Sequence, residues 1–253
     1  MIRKLRDKIT EIYYKYTNRI KMRIYNWRGL KSEMTGFNRS YIGIRWDILE
    51  LVPVNVKKVL DVGCSIGTIG EALKQKIEGA EVVGIEFDAQ MAEVAKSKLS
   101  KVITADVEKI NLSEHFPSRY FDCIIFADIL EHLRNPWDVL KSSVSVLSDN
   151  GLVIMSIPNV CHYSTIFQLI FKGYWPYRDR GIHDRTHLRF FTLKNIKEML
   201  KYANLEPVKI KKRYRIIEAG HWLNVFSILF ALPVINRFLT FQYLVCAKAR
   251  KDR

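Results

Sequence analysis

From Lys58 onward the apolar residues gather in short unbroken runs, with stretches of helical spacing between them. Residues 58–62, 81–85, 102–105, 121–127 and 152–157 lack the alternation of a half-exposed strand, so they read as strands covered on both faces. Residues 67–77, 89–99 and 136–147 read as helices, and Asp149-Asn150-Gly151 as a turn before the fifth strand. Thr192 caps a helix over residues 193–203 that Asn204 closes, and residues 206–211 and 241–247 supply the last two strands. The sum predicts an α/β fold: a Rossmann-like, doubly wound, mostly parallel seven-stranded sheet with helices on both faces.

The flanks follow other patterns. In residues 1–30, Ile2, Leu5, Ile9, Ile12, Tyr13, Tyr16, Ile20 and Ile24 recur at helical spacing, and much of the remainder is Lys or Arg. This predicts a basic amphipathic helix that either packs on the domain or lies on an anionic membrane surface through residues 1–31. The expected organisation is this helix, residues 1–35, and one domain, residues 36–253. Residues 159–191 interrupt the alternation with an irregular, aromatic and histidine-bearing insertion where a substrate site is expected. Residues 221–239 are apolar but broken by Asn224, Ser227 and Pro233. They read as a core helix, with a substrate lid or a membrane-dipping element as alternatives.

Composition narrows the setting. A chain of 253 residues, 48% of them hydrophobic, can bury one sizeable core. Its formal net charge of +15 favours polyanionic partners: anionic lipid, phosphorylated substrate or, less favoured, nucleic acid. Four cysteines without CxxC spacing argue against a disulfide framework or a zinc site, and place the chain in a reducing compartment. No apolar run forms a signal peptide or reaches the ~18 residues of a membrane span. The expected location is cytoplasmic, peripheral at the inner membrane face where the basic helix engages.

The stretch GCSIG, residues 63–67, admits two readings. As GxSxG it is the nucleophile elbow of a hydrolase, which needs an earlier strand to supply an oxyanion loop. Only a basic helix and a glycine-spaced connection precede Val59, so that support is missing. As a cofactor turn it needs a carboxylate at the end of strand two, about 20 residues on, to accept ribose hydroxyls. Glu86, closing VVGIE, stands there. Ser65 in place of glycine disfavours the nicotinamide fingerprint GxGxxG, and makes Ser65 a loop residue rather than a nucleophile.

The ordered series VLDVGCSIG, VVGIEFD, ITADVEKI, FDCIIFADILEHLRNP and GLVIMSIPN resembles class I S-adenosylmethionine-dependent methyltransferases over about residues 40–250. The resemblance implies S-adenosyl-L-methionine as cofactor. It implies that Asp61 and Gly63 shape the loop facing the methionine part, with Cys64, Ser65 and Gly67 in the same turn. It further implies that Glu86, followed by Phe87, holds the ribose, that Asp106 and Val107 frame the adenine, and that Ala127 and Asp128 lie near the sulfonium. Ser65 departs from the family's usual glycine.

On the acceptor side a base is needed to take a proton from a hydroxyl or amine. His132 follows strand four, and His183 and His187 lie in the insertion that could fold over it. If Asp128-Ile129-Leu130-Glu131-His132 opens a helix, positions 128, 131 and 132 share a face. With His187 they form a candidate site for Mg2+ or another divalent cation. This resembles the metal-dependent ubiquinone-biosynthesis and small-RNA methyltransferases, with Asp128 in place of a glutamate. The segment GIHDRTHLRFFT also resembles methyltransferases of surface-polysaccharide and glycolipid assembly, implying a sugar hydroxyl on a glycan or lipid-linked acceptor. Tyr163, Trp175 and Tyr177 could stack on sugar rings, and Arg178, Arg180, Arg185 and Arg189 could hold phosphate. The alternatives are an RNA or quinone-precursor acceptor, or a non-catalytic binding module of the same fold.

Overall fold

A computed structural model describes residues 42–215 and 235–250. The helix predicted at residues 1–35 lies outside the described residues, as does most of the apolar stretch 221–239. Strands β1 (Lys58–Val62), β2 (Glu81–Glu86), β3 (Lys101–Thr104), β4 (Phe121–Ala127), β5 (Leu147–Pro158), β6 (Leu205–Tyr214) and β7 (Thr240–Ala249) form one sheet. Its order is β3-β2-β1-β4-β5-β7-β6. Strands β1 to β5 run parallel, and β7 returns antiparallel between β5 and β6. This is the expected mostly parallel seven-stranded sheet.

The helices are α1 (Trp46–Leu49), α2 (Thr68–Lys76), α3 (Ala89–Lys96), α4 (Leu112–His115), α5 (Pro136–Ser143), α6 (Tyr163–Lys172), α7 (Leu193–Tyr202) and α8 (Asn236–Leu239). The central strands read as unbroken apolar runs because both faces are covered. Leu60, Val62, Ile124 and Phe126 enter one buried layer, and Val59, Cys123, Ile125 and Ile154 the other. Strand order reverses between β1 and β4. Their following loops diverge at the carboxyl edge, which is where an open α/β sheet presents its crevice.

Three local expectations are corrected. Asp149-Asn150-Gly151 is not a free turn but a bulge inside β5: Phe121 pairs with Leu147 and Cys123 with Leu152, leaving unmatched residues between. The helix expected over 136–147 ends at Ser143, and a 3₁₀ turn, Val144–Val146, finishes the connection. The insertion is not wholly irregular, since it contains α6, capped by the His162 side chain and closed by Gly173 in the left-handed region. In contrast, α7 begins where expected: Thr192 and Asn195 form a reciprocal capping box. No helix among the described residues is long and apolar enough to cross a membrane.

Helix α2 approaches the sheet closely at Gly70. A Cβ there would press on Leu99 and stand 2.8 Å from Val82 Cγ1. Alanine gains about 1 kcal/mol of helix propensity over glycine, whereas overpacking costs about 1–3 kcal/mol. Because Val82 lies within the sheet, packing should win: Gly70→Ala is expected to lower stability by about 1–2 kcal/mol, read as a lower urea midpoint. A raised midpoint would contradict this account.

Candidate functional site

The turn after β1 is held to the end of β2 by backbone. The Gly63 and Cys64 N–H groups both donate to the Ile85 carbonyl, at 2.8 and 3.1 Å. Ser65 N–H donates to Glu86 Oε2 at 2.7 Å, and Asp88 N–H to Glu86 Oε1 at 2.9 Å. Each carboxylate oxygen retains a lone pair for a hydroxyl. Gly63, Ser65 and Gly67 all have positive φ, at 72°, 51° and 78°. At Gly63 glycine is needed for space as well, because a Cβ would lie 2.9 Å from Ile129 Cδ1. Ser65 adopts the same left-handed region at some strain, and its hydroxyl lies 3.6 Å from Met91 Sδ rather than against a histidine. The nucleophile reading thus lacks its base.

Around this turn the other cofactor candidates separate by role. Phe87 is exposed beside Glu86. Asp106 follows β3 next to Glu86, since Ala105 N–H donates to the Glu86 carbonyl, and Val107 packs on the core. The Cys64 thiol turns inward against Gly84, leaving only its backbone to the loop. Asp61 is fully buried on β1, and neither carboxylate oxygen has a hydrogen-bond partner among the described residues. Burial, helped by the nearby Glu86 charge, raises its pKa from 3.8 to about 7.

Ala127 ends β4, and the segment after it divides the acceptor candidates. Asp128 has a left-handed φ of 58°. Its Oδ1 accepts from Ser156 Oγ at 2.6 Å and from Gln242, and its Oδ2 pairs with Arg45. Arg45 also grips Asp47 in bidentate fashion, at 2.9 and 3.0 Å, and Arg213 reaches Asp47 at 2.8 Å. Burial opposes the Asp47 charge, but the two guanidiniums prevail and hold its pKa at about 2. Asp128 is therefore engaged away from the group it was expected to join. The physical reason is that residues 130–132 form a single 3₁₀ turn, so no helical face carries positions 128, 131 and 132 together.

Glu131, His132 and His187 do come together, with ligand atoms all within 4.8 Å of one another. The two rings meet edge to face at 4.7 Å. Glu131 is 1% exposed and neither carboxyl oxygen has a hydrogen-bond partner among the described residues; His187 Nε2 stands 4.0 Å from Oε1. Burial drives the Glu131 pKa up to about 8. Burial also lowers His132 and, with the neighbouring His132, takes His187 down to about 4, so both rings are neutral at pH 7. The main chain seals the arrangement: Leu188 and Arg189 N–H both donate to the Glu131 carbonyl at 2.9 Å.

His183 does not join them. It is fully buried, 3.1 Å from Thr165 Oγ1, with its ring edge-on to Trp175. There it ties α6 to the rest of the insertion. Arg189 is spent on the Arg134 carbonyl, and Arg185 pairs with Asp179 at 2.8 Å. Arg178 and Arg180 are exposed, as are Tyr163 and Tyr177, while Trp175 is half-buried. Sequence reasoning missed Arg45, Ser156 and Gln242, which carry no motif. It also missed Asp184 and Thr186, although Asp-x-Thr is the spacing of an Asx turn.

A family model described as a methyltransferase domain matches residues 37–210. The chain belongs to that family. It is similar to the ubiquinone biosynthesis O-methyltransferase of Dechloromonas aromatica, 31% identical over 159 residues, 61% of this chain and 66% of that protein. It is also similar to that of Pseudomonas fluorescens strain SBW25, 32% identical over 146 residues, 56% of this chain and 61% of that protein. The chain thus spans less than two thirds of the length of these relatives. A SAM dependent methyltransferase from Archaeoglobus fulgidus superposes with a TM-score of 0.58 at 20% identity, covering 80% of this chain and 91% of that one. The shared fold is that of S-adenosylmethionine-dependent methyltransferases.

Two expectations follow. Between pH 3.8 and about 7 the folded chain keeps the Asp61 proton that the unfolded chain has lost. Stability of the cofactor-free protein therefore falls as pH rises through that window and levels off above it. Asp61→Asn should reduce the drop in urea midpoint between pH 5 and 8; an unchanged drop would remove Asp61 as a source. At the turn, Ser65→Ala should leave turnover within about threefold, whereas Glu86→Ala should weaken cofactor binding by at least about tenfold, one charge-assisted hydrogen bond's worth. Calorimetric titration with S-adenosylmethionine separates the two.

Proposed function

We propose that the chain is an S-adenosylmethionine-dependent O-methyltransferase whose acceptor hydroxyl is prepared at Glu131, His132 and His187 with the help of a divalent cation. The observation that carries this reading is the buried Glu131 carboxyl group, which has no hydrogen-bond partner among the described residues and lies within 4.8 Å of ring nitrogens of His132 and His187. The cluster follows β4, and Ile129 of the same segment packs against Gly63, so acceptor and cofactor sides adjoin.

The residues fit both groups. When bound, S-adenosylmethionine supplies a methyl group on positively charged sulfur. Glu86 offers lone pairs to ribose hydroxyls, and the Gly63 turn leaves the close approach a methionine tail requires. Glu131, His132 and His187 would hold a hard divalent cation, whose charge lowers the pKa of a bound hydroxyl. The chain's remaining task is to align the acceptor oxygen; the lowered pKa values of His132 and His187 suit cation ligands, and the proton of the acidified hydroxyl would pass to solvent.

For the acceptor we favour a sugar hydroxyl on a lipid-linked glycan precursor. Supporting a lipid component, α6 exposes Phe167, Ile170 and Phe171, and the net charge of +15 suits an anionic membrane face reached through residues 1–31. A second reading, the ring hydroxyl of a quinone precursor, draws on the names of the relatives, ubiquinone biosynthesis O-methyltransferases. Methyl incorporation from labelled S-adenosylmethionine into a lipid-linked oligosaccharide and into a polyprenyl catechol, compared side by side, decides between them.

Stripping divalent cations with a chelator should abolish turnover, and Mg2+ or Mn2+ should restore it. Glu131→Gln should lower kcat/KM on the order of 10²-fold while S-adenosylmethionine still binds. Unchanged turnover in the stripped protein would overturn the metal reading.

A further inference from the structure

We propose that Asp184, acting through Thr186, is a positioning residue that fixes the ring orientation of His132 and keeps its proton on Nδ1. The inference rests on the reading of Glu131, His132 and His187 as the acceptor-side centre, and adds to it the device that orients one of them.

A threonine hydroxyl has one proton. Thr186 Oγ1 donates it to Asp184 Oδ1 at 2.6 Å, and the Thr186 backbone N–H reaches the same oxygen at 2.9 Å. The Thr186 oxygen also lies 3.0 Å from His132 Nδ1, and toward that atom it has only lone pairs to offer. His132 must therefore carry its proton on Nδ1. A neutral imidazole has a single N–H, so Nε2 becomes the ring's acceptor. His187 reaches the same state by a simpler route, because its Nδ1 lies 3.1 Å from the Ile182 carbonyl, which can only accept.

Both rings then carry their proton on Nδ1 beside the buried Glu131 carboxyl group, with ligand atoms of the three residues within 4.8 Å of one another. Asp184 is suited to anchor the relay, being 4% exposed and held in the turn by its own backbone N–H to the Gly181 carbonyl at 3.2 Å. The relay is not needed to attach the segment. The Leu188 and Arg189 bonds to the Glu131 carbonyl do that independently, so Thr186 can be changed without releasing His187.

The test is to read the His132 tautomer in the metal-free full chain by long-range proton–nitrogen NMR of histidine-labelled protein at mildly alkaline pH, alongside titration with Co2+ alone. The wild type should show the Nδ1–H form. Thr186→Val should shift His132 toward Nε2–H and weaken Co2+ binding about 10–100-fold, whereas Thr186→Ser should keep both properties. Asp184→Ala frees the Thr186 proton to donate to Nδ1 and should produce the same shift. An unchanged tautomer in Thr186→Val would overturn the relay. If the tautomer shifts but the wild type binds no Co2+, the relay stands and the metal reading falls.

Discussion

The arrangement depends on one steric fact at the carboxyl edge of the sheet. Strands β1 and β4 are neighbours whose following loops part in opposite directions, and the Ile129 side chain lies where a Gly63 Cβ would have to be. With no side chain at position 63 the two loops touch. The β1 turn can then lean on β2 through the Ile85 carbonyl and Glu86, while the β4 segment turns at Asp128 toward Glu131 and His132. A Cβ at 63 would stand 2.9 Å from Ile129 Cδ1 and crowd this contact.

On either side of that contact stands a buried carboxyl group without a hydrogen-bond partner among the described residues, Asp61 under the β1 turn and Glu131 after β4. An isolated buried carboxylate is costly enough that the group prefers to keep its proton, which is the direction taken at both positions. Such groups weaken the empty protein and become useful when a positive charge arrives. Asp128 shows the contrast within the same segment. It is only half-buried, and its oxygens are engaged by Arg45, Ser156 and Gln242, so it serves the fold of the edge.

The sheet was largely legible in the sequence because β1, β2 and β4 are buried on both faces, and burial writes itself as unbroken apolar runs. Glu86 and Gly63 were legible for a related reason: strand ends fix the spacing of a turn and its carboxylate. The acceptor side was legible only as a set of residue types. His132, His187 and His183 were grouped together, because an imidazole that holds Thr165 and one that lies beside Glu131 look alike in a linear text. Asp128 was misplaced because DxxEH was read with helical geometry, and a single 3₁₀ turn changes which residues share a face. The bulge in β5 was hidden by Asn150-Gly151, which reads as a hairpin signal although the strand continues through it.

The two halves of the site differ in how they are assembled, and this bears on how acceptor choice could change without loss of the cofactor. Every residue of the cofactor half sits at the end of a parallel strand, so its position follows from the sheet. The acceptor half draws Glu131 and His132 from the end of β4 but His187 from the insertion, about 55 residues on. Its closure rests on the Leu188 and Arg189 amides meeting the Glu131 carbonyl and on Thr186 meeting His132. Alterations in the insertion away from residues 184–189 can reshape its surface, including the exposed face of α6, while those few bonds hold Glu131, His132 and His187 together. Glu131 is the hinge of this division: its side chain joins the two histidines, and its carbonyl holds the insertion that supplies His187.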